Sequence, residues 1–199
     1  MNYLAHAFLS PNDAYTLTGN VVTDMLKGPA RKEIDIRFDS GIILHKAIDR
    51  FTDSHEMVNE LKHMLYPRFK KYSPVVSDIF MDYLMVRNWS KYSGGEDIHG
   101  FIQKTYDLML TVVEELPENI SLRLGNMIHH NWLNAYMTTQ SVNEVFDRME
   151  YKVTDTEIMK NGGDWLEENF EEVNMLFLKF FPDLIEFVKQ DLYTKSKVK

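Results

Sequence analysis

No cysteine occurs among the 199 residues. That absence excludes a disulfide scaffold, a cysteine-ligated zinc site and a thiol nucleophile together. Long apolar runs are missing too: none approaches the roughly 18 residues that a membrane span needs. The opening stretch, Met1 to Ser10, carries no Lys or Arg and is short for a secretory leader. A cytoplasmic home is the expectation. No tripeptide repeat, sustained heptad or biased tract is visible, which removes the collagen-like, coiled-coil and low-complexity classes. The phosphate-binding loop Gly-x₄-Gly-Lys-Ser/Thr, the Rossmann fingerprint and the serine elbow Gly-x-Ser-x-Gly are absent as well. Basic residues are in deficit, 22 against 30 acidic, for a net charge of −8. That balance argues against bulk nucleic-acid binding.

What is present is helical periodicity almost everywhere. Asn12 or Asp13 can cap a helix over 13–27 that stops at Gly28-Pro29. The stretch 40–53 places Ile43, Ala47, Ile48 and Phe51 near one face. Ser54 can cap the next helix, through Met57, Leu61 and Met64, with Pro67 disturbing its end. Residues 74–92 form an amphipathic segment with Val75, Ile79, Phe80, Tyr83, Leu84 and Val86, closed by Gly94-Gly95. Further helices are expected over 97–115 and 120–137. Ser141 with Glu144 reads as a capping box for a helix through Tyr151. Asn161-Gly162-Gly163 breaks the chain before a last helix or helix pair from Trp165, bent at Pro182. The expectation is an all-α fold: a single-domain bundle over 1–199 of about eight helices, with a C-terminal helical extension from about 163 as an option.

Titratable residues that interrupt apolar helical faces are where chemistry is sought. His45, Asp49 and Asp53 follow one another at i,i+4 and so stack on one helix face. A nitrogen donor one turn from a carboxylate can share a divalent ion, or form a plain hydrogen bond. Asp78 and Asp82 repeat the spacing on 74–92, where a cation would relieve their repulsion. Alternatively, one faces water while the other bonds Arg87 or Asn88. Asp24, one turn after Asn20, and His6, among apolar neighbours, complete the candidates; a lone histidine of that kind is commonly a core residue. Of His129-His130, at most one can join a given site, since neighbours on a helix point about 100° apart. His63 and His99 read as surface residues, and His55 is open. Hard oxygen donors with a few imidazoles favour Mg²⁺ or Mn²⁺ and tolerate Fe or Zn.

Four ordered blocks carry a resemblance: Met1-Asn-Tyr-Leu-Ala-His6; Gly19-Asn-Val-Val-Thr-Asp24 with Lys27-Gly28; Gly41-Ile-Ile-Leu-His45 through Asp49 and Phe51-Thr-Asp-Ser-His55; and Asp78 to Trp89. In order and spacing they resemble the acyl carrier protein phosphodiesterases, an all-helical branch related to HD-type metal-dependent phosphohydrolases. The resemblance implies an HD-phosphohydrolase-like fold. It also implies hydrolysis of the phosphodiester that joins 4′-phosphopantetheine to a serine of holo-acyl carrier protein, with Mn²⁺ as cofactor and Mg²⁺ as substitute. Carried over by position, it puts His6, Asp24, His45, Asp49 and Asp82 around the metal, with Asp24, His45 and Asp82 in the chemistry. Asp53, His55, Asp78 and Tyr83 stand further out. The chain departs from the family at Asp82-Tyr83, where an Asp-His pair is usual, and at His55-Glu56, where His-Pro is usual.

The charge is uneven, and its locally positive part is open to two readings: a surface that steers an acidic partner, or an ordinary solvated mixed-charge face. Residues 27–71 hold ten basic against seven acidic residues, Lys46 and Arg50 among them as candidate substrate contacts. Neither nucleic acid nor membrane is expected as a partner, and the oligomeric state is open. Two alternatives stand beside the carrier hydrolase: a phosphohydrolase acting on another phosphate ester, and a non-catalytic carrier-binding helical protein with a degenerate metal site.

Overall fold

A computed structural model describes residues 1–149 and 156–196. The protein is all-α, with twelve α-helices and no strand among the described residues. They are α1 Tyr3–Phe8, α2 Ala14–Val22, α3 Ala30–Glu33, α4 Asp39–Ser54, α5 Glu56–Phe69, α6 Ser73–Arg87, α7 Trp89–Tyr92, α8 Ile98–Leu110, α9 Glu118–His129, α10 Thr139–Met149, α11 Gly162–Glu168 and α12 Phe170–Ser196. The expected count of about eight is exceeded because α1, α3 and α7 are only four to six residues long. Such pieces are too short to show a period of 3.6.

The chain divides into two compact units, each built from separate stretches. One comprises Met1–Asn2, Arg50–Asn88 and Ala135–Lys199; the other comprises Tyr3–Asp49 and Trp89–Asn134. In the first unit, α5, α6, α10, α11 and α12 bury an aromatic core. Phe80 stacks on Trp165 at 5.9 Å and meets Phe69 edge-on at 6.1 Å. Phe177 and Phe181 of α12 stack at 4.9 Å, fully buried with Phe180, so these tail aromatics are core residues. In the second unit, Leu4, Val21, Val22, Phe38, Ile42, Ile48, Met109 and Leu124 are fully buried.

Several local expectations hold and several shift. Asp13 caps α2, accepting the Thr16 N–H at 2.7 Å. Asp97 caps α8 through the Gly100 N–H. His55, not Ser54, caps α5: its Nδ1 accepts the Met57 N–H, while the Ser54 hydroxyl is spent on the Phe51 carbonyl. The capping pair of α10 is Thr138 with Ser141 rather than Ser141 with Glu144. Thr138 Oγ1 accepts the Ser141 N–H and Ser141 Oγ accepts the Thr138 N–H, each at 3.0 Å. Tyr151 lies outside the described residues. The long segment expected over 74–92 breaks at Asn88, whose side chain donates to the Leu84 carbonyl and to Asn174 Oδ1.

The correction at α4 matters most for function. Ile43 is 53% exposed, whereas Ile42, His45, Ile48 and Thr52 are buried. Of the expected Ile43, Ala47, Ile48 and Phe51 stripe only Ile48 is fully buried, so the buried face is turned by roughly 100° away from Ile43 and toward Ile42, His45 and Thr52. That rotation carries His45 inward.

Candidate metal centre

Three short stretches of the second unit build the site. α1 supplies His6, α2 supplies Asn20, and the 3-10 turn Thr23–Met25 that extends α2 supplies Asp24. α4 supplies His45 and Asp49 one turn apart. Helices α2 and α4 meet backbone to backbone at two glycines. A Cβ on Gly41 would lie 2.1 Å from the Thr16 carbonyl oxygen, and one on Gly19 would lie 2.3 Å from that of Phe38. Only glycine permits this approach, and it is what lets His45 reach the main chain of α2.

His6 and His45 are 2% and 3% exposed. Their rings stack, centroids 4.0 Å apart and planes 14° apart. Each Nδ1 is committed. His6 Nδ1 lies 2.8 Å from Asn20 Oδ1, and His45 Nδ1 lies 2.8 Å from the Asn20 carbonyl oxygen. Each Nε2 turns toward carboxylates. Asp49 Oδ1 is 3.2 Å from His6 Nε2 and Asp49 Oδ2 is 3.0 Å from His45 Nε2, with Asp24 Oδ1 3.3 Å from the latter. Yet neither buried Nε2 has an aligned hydrogen-bond partner. A buried ring nitrogen without an aligned partner is costly whether or not it carries a proton. Two such nitrogens turned toward the same carboxylate fit a cation.

Ligand atoms of His6, His45 and Asp49 all lie within 4.8 Å of one another, close enough to share one ion after small adjustment. Histidine ligands with the far nitrogen hydrogen-bonded to a carbonyl are the usual support of a protein metal site. The donor set of two imidazoles and one or two carboxylates suits Mn²⁺, Fe or Zn.

The site also sorts charge. Burial pushes His6 down to about 4, against the pull of Asp49. Burial opposes charge on His45 too, but the carboxylates of Asp24 and Asp49 outweigh it and raise this imidazole to about 9. Asp49, although burial works to raise it, is held well below the usual carboxylate range by the two imidazoles. Asp24 is lowered by its contact with His45. Two stacked rings carry one proton more readily than two. In metal-free protein at pH 7, ¹⁵N spectra are expected to show His45 protonated on both nitrogens and His6 neutral. The raised group favours folding fully below pH 6.5 and loses that contribution as pH rises through about 9. The lowered group favours folding above pH 6.5 and loses its contribution as pH falls through about 4. Urea midpoints of the metal-free protein should therefore peak near pH 6.5 and fall on either side, toward pH 4 and toward pH 9.

A family model described as acyl carrier protein phosphodiesterase matches residues 1–184. The chain belongs to that family. Among curated relatives, the acyl carrier protein phosphodiesterase of Photorhabdus laumondii is 23% identical over 186 residues, covering 94% of each chain. That of Pectobacterium atrosepticum is 23% identical over 192 residues, covering 95% of this chain and 98% of its own. That of Yersinia pestis is 22% identical over 185 residues, covering 93% and 96%. No solved structure matches the chain.

The other sequence candidates of this phosphodiesterase-family chain have partners of their own. Asp78 and Asp82 belong to α6 of the first unit. Asp82 is fully buried and accepts the Asn2 N–H at 3.1 Å, and Asp78 pairs with the Met1 amino group at 2.9 Å. Tyr83 is buried, and that burial raises its phenol further from neutral pH. Asp53 pairs with Lys62 at 2.8 Å, and His55 Nε2 lies 3.3 Å from Asp183. Lys46 and Arg50 are exposed on α4, and His63, His99, His129 and His130 are exposed. The residue that sequence reading passed over is Asn20. The sequence shows its position, one turn before Asp24 in the Gly19-Asn20 step of the second block, but not that its amide is buried.

Proposed function

We propose that the chain is a metal-dependent hydrolase of the phosphodiester between 4′-phosphopantetheine and a serine of holo-acyl carrier protein, with Mn²⁺ held by His6, His45 and Asp49. One observation carries the metal part of this reading. Two stacked, buried imidazoles have both Nδ1 atoms occupied by Asn20 and both Nε2 atoms turned, without aligned partners, toward Asp49. The substrate part rests on the family and on the relatives' names. Bound there, a divalent ion supplies charge to a phosphoryl oxygen and lowers the pKa of a water.

The chain's own residues divide the rest of the work. With Nδ1 on a carbonyl and Nε2 facing the centre, neither imidazole is free to shuttle protons, so His6 and His45 hold the ion. Asp24 is two-thirds exposed at the rim beside His45, and its lowered pKa keeps it ionised at neutral pH. In this reading Asp24 orients the attacking water through a hydrogen bond to its carboxylate. Lys46 and Arg50, exposed on α4, are available to phosphate and to acidic side chains of the carrier.

Incubation with holo-carrier and Mn²⁺, followed by intact mass measurement, is expected to show loss of the phosphopantetheine group. No loss with Mn²⁺, Mg²⁺, Fe²⁺ or Zn²⁺ overturns the substrate assignment. Asp24→Asn should lower kcat by about 100-fold or more while Mn²⁺ affinity changes by less than about tenfold.

A further inference from the structure

We infer that Asn20 is the positioning residue of the centre: its side-chain and main-chain carbonyls fix both imidazoles as Nδ1–H donors, and Ser10 fixes Asn20. The inference rests on the metal reading for its purpose, but its content is a set of proton positions.

Hydrogen directions close without ambiguity. The Ser10 hydroxyl donates to the His6 carbonyl at 2.9 Å, which leaves its lone pairs to accept. Asn20 Nδ2 lies 2.9 Å from Ser10 Oγ and 3.0 Å from the His6 carbonyl oxygen. Both neighbours are acceptors, so the amide nitrogen must face them. Reversing the amide would set its oxygen against a carbonyl oxygen. Asn20 Oδ1 therefore faces His6 Nδ1, and an oxygen without a hydrogen can only accept. His6 Nδ1 then carries the proton, and in the neutral ring Nε2 is a bare lone pair. His45 Nδ1 meets the Asn20 main-chain carbonyl, which likewise only accepts. Asn20 is fully buried, so no water competes for these bonds.

The same amide ties down local backbone. The His6 carbonyl lies in the last turn of the six-residue α1, where carbonyls lack intrahelical partners. Asn20 and Ser10 satisfy it together. One residue thus anchors the end of α1 and sets the tautomer of His6 through its side chain, and sets His45 through its main-chain carbonyl.

This division predicts an asymmetry that a purely structural role would not give. Replacing the Asn20 side chain removes the His6 acceptor but leaves the main-chain carbonyl that holds His45. In metal-free Asn20→Leu at pH 7, ¹⁵N-resolved histidine spectra should show His6 losing its Nδ1–H preference, with His45 still protonated at Nδ1. Mn²⁺ affinity, read by titration of its EPR signal, should fall about 10- to 100-fold. Asn20→Asp keeps an acceptor for His6, so Nδ1–H and most of the affinity should return. If Asn20→Leu does not fold, Ser10→Ala gives the same readout in weaker form: the Nε2–H form of His6 grows while His45 is unchanged. The inference is overturned if His6 stays an Nδ1–H donor in both Asn20→Leu and Ser10→Ala, or if His45 changes in step with His6. Failure of wild-type protein to bind Mn²⁺ would instead overturn the metal reading, and the spectra would still decide the proton positions.

Discussion

Asp49→Ala is expected to lower Mn²⁺ affinity by at least about 100-fold and carrier hydrolysis by about 1000-fold or more. The argument is one of position. Asp49 presents one oxygen to each imidazole, 3.2 Å from His6 and 3.0 Å from His45. Asp24 touches only His45, at 3.3 Å. Losing Asp49 therefore leaves His6 Nε2 buried without the carboxylate oxygen it faces. Asp53→Ala is the matched control, one turn further along α4. Asp53 is exposed and pairs with Lys62, and such surface pairs contribute about 1 kcal/mol at most. Mn²⁺ titration and carrier mass should separate the two variants cleanly. Equal metal affinity in Asp49→Ala and wild type would remove Asp49 from the ligand set.

The contrast between Asp49 and Asp53 shows how far a sequence can be read. Spacing places His45, Asp49 and Asp53 along one face, and the structure agrees that the first two meet at the same place. Spacing does not say where that face stops being useful, and Asp53 ends in a solvent ion pair. The i,i+4 pair of α6 has the same pattern and a different fate: Asp82 accepts the Asn2 N–H, and Asp78 takes the Met1 amino group. Like patterns diverge because the partners come from remote parts of the chain, and periodicity carries no information on partners. His6 illustrates the reverse. Alone among apolar residues it reads as a core histidine, and it is buried like one. What makes it a candidate ligand is Asn20, fourteen residues away, occupying its other nitrogen. The all-α class was legible because long amphipathic stretches dominate. The helices of four to six residues were not, and neither was the inward rotation of α4 that buries His45.

Glycine was read from sequence as punctuation, at Gly28 and at Gly94-Gly95, where φ is indeed positive. Gly41 sits inside a helix and does something else, which gives the second large effect. In an exposed helix interior, alanine is favoured over glycine by about 1 kcal/mol. Propensity alone therefore predicts that Gly41→Ala stabilises. Geometry predicts the opposite. The new Cβ would lie 2.1 Å from the Thr16 carbonyl oxygen, 2.5 Å from the Asn20 nitrogen and 2.8 Å from the Gly19 carbonyl carbon. All three are backbone atoms of α2, so no rotamer change relieves the clash. The two helices must separate, and overpacking of this kind costs about 1–3 kcal/mol or more. Separation also pulls the Asn20 carbonyl away from His45 Nδ1, now 2.8 Å distant. Gly41→Ala should thus lower the urea midpoint and weaken Mn²⁺ binding by about tenfold or more. Gly125→Ala in α9 supplies the comparison, since a Cβ there meets nothing within 4 Å. It should leave metal binding unchanged and stabilise by about 0.5–1 kcal/mol. If Gly41→Ala behaves like Gly125→Ala, close contact between α2 and α4 is not what holds His45 in place.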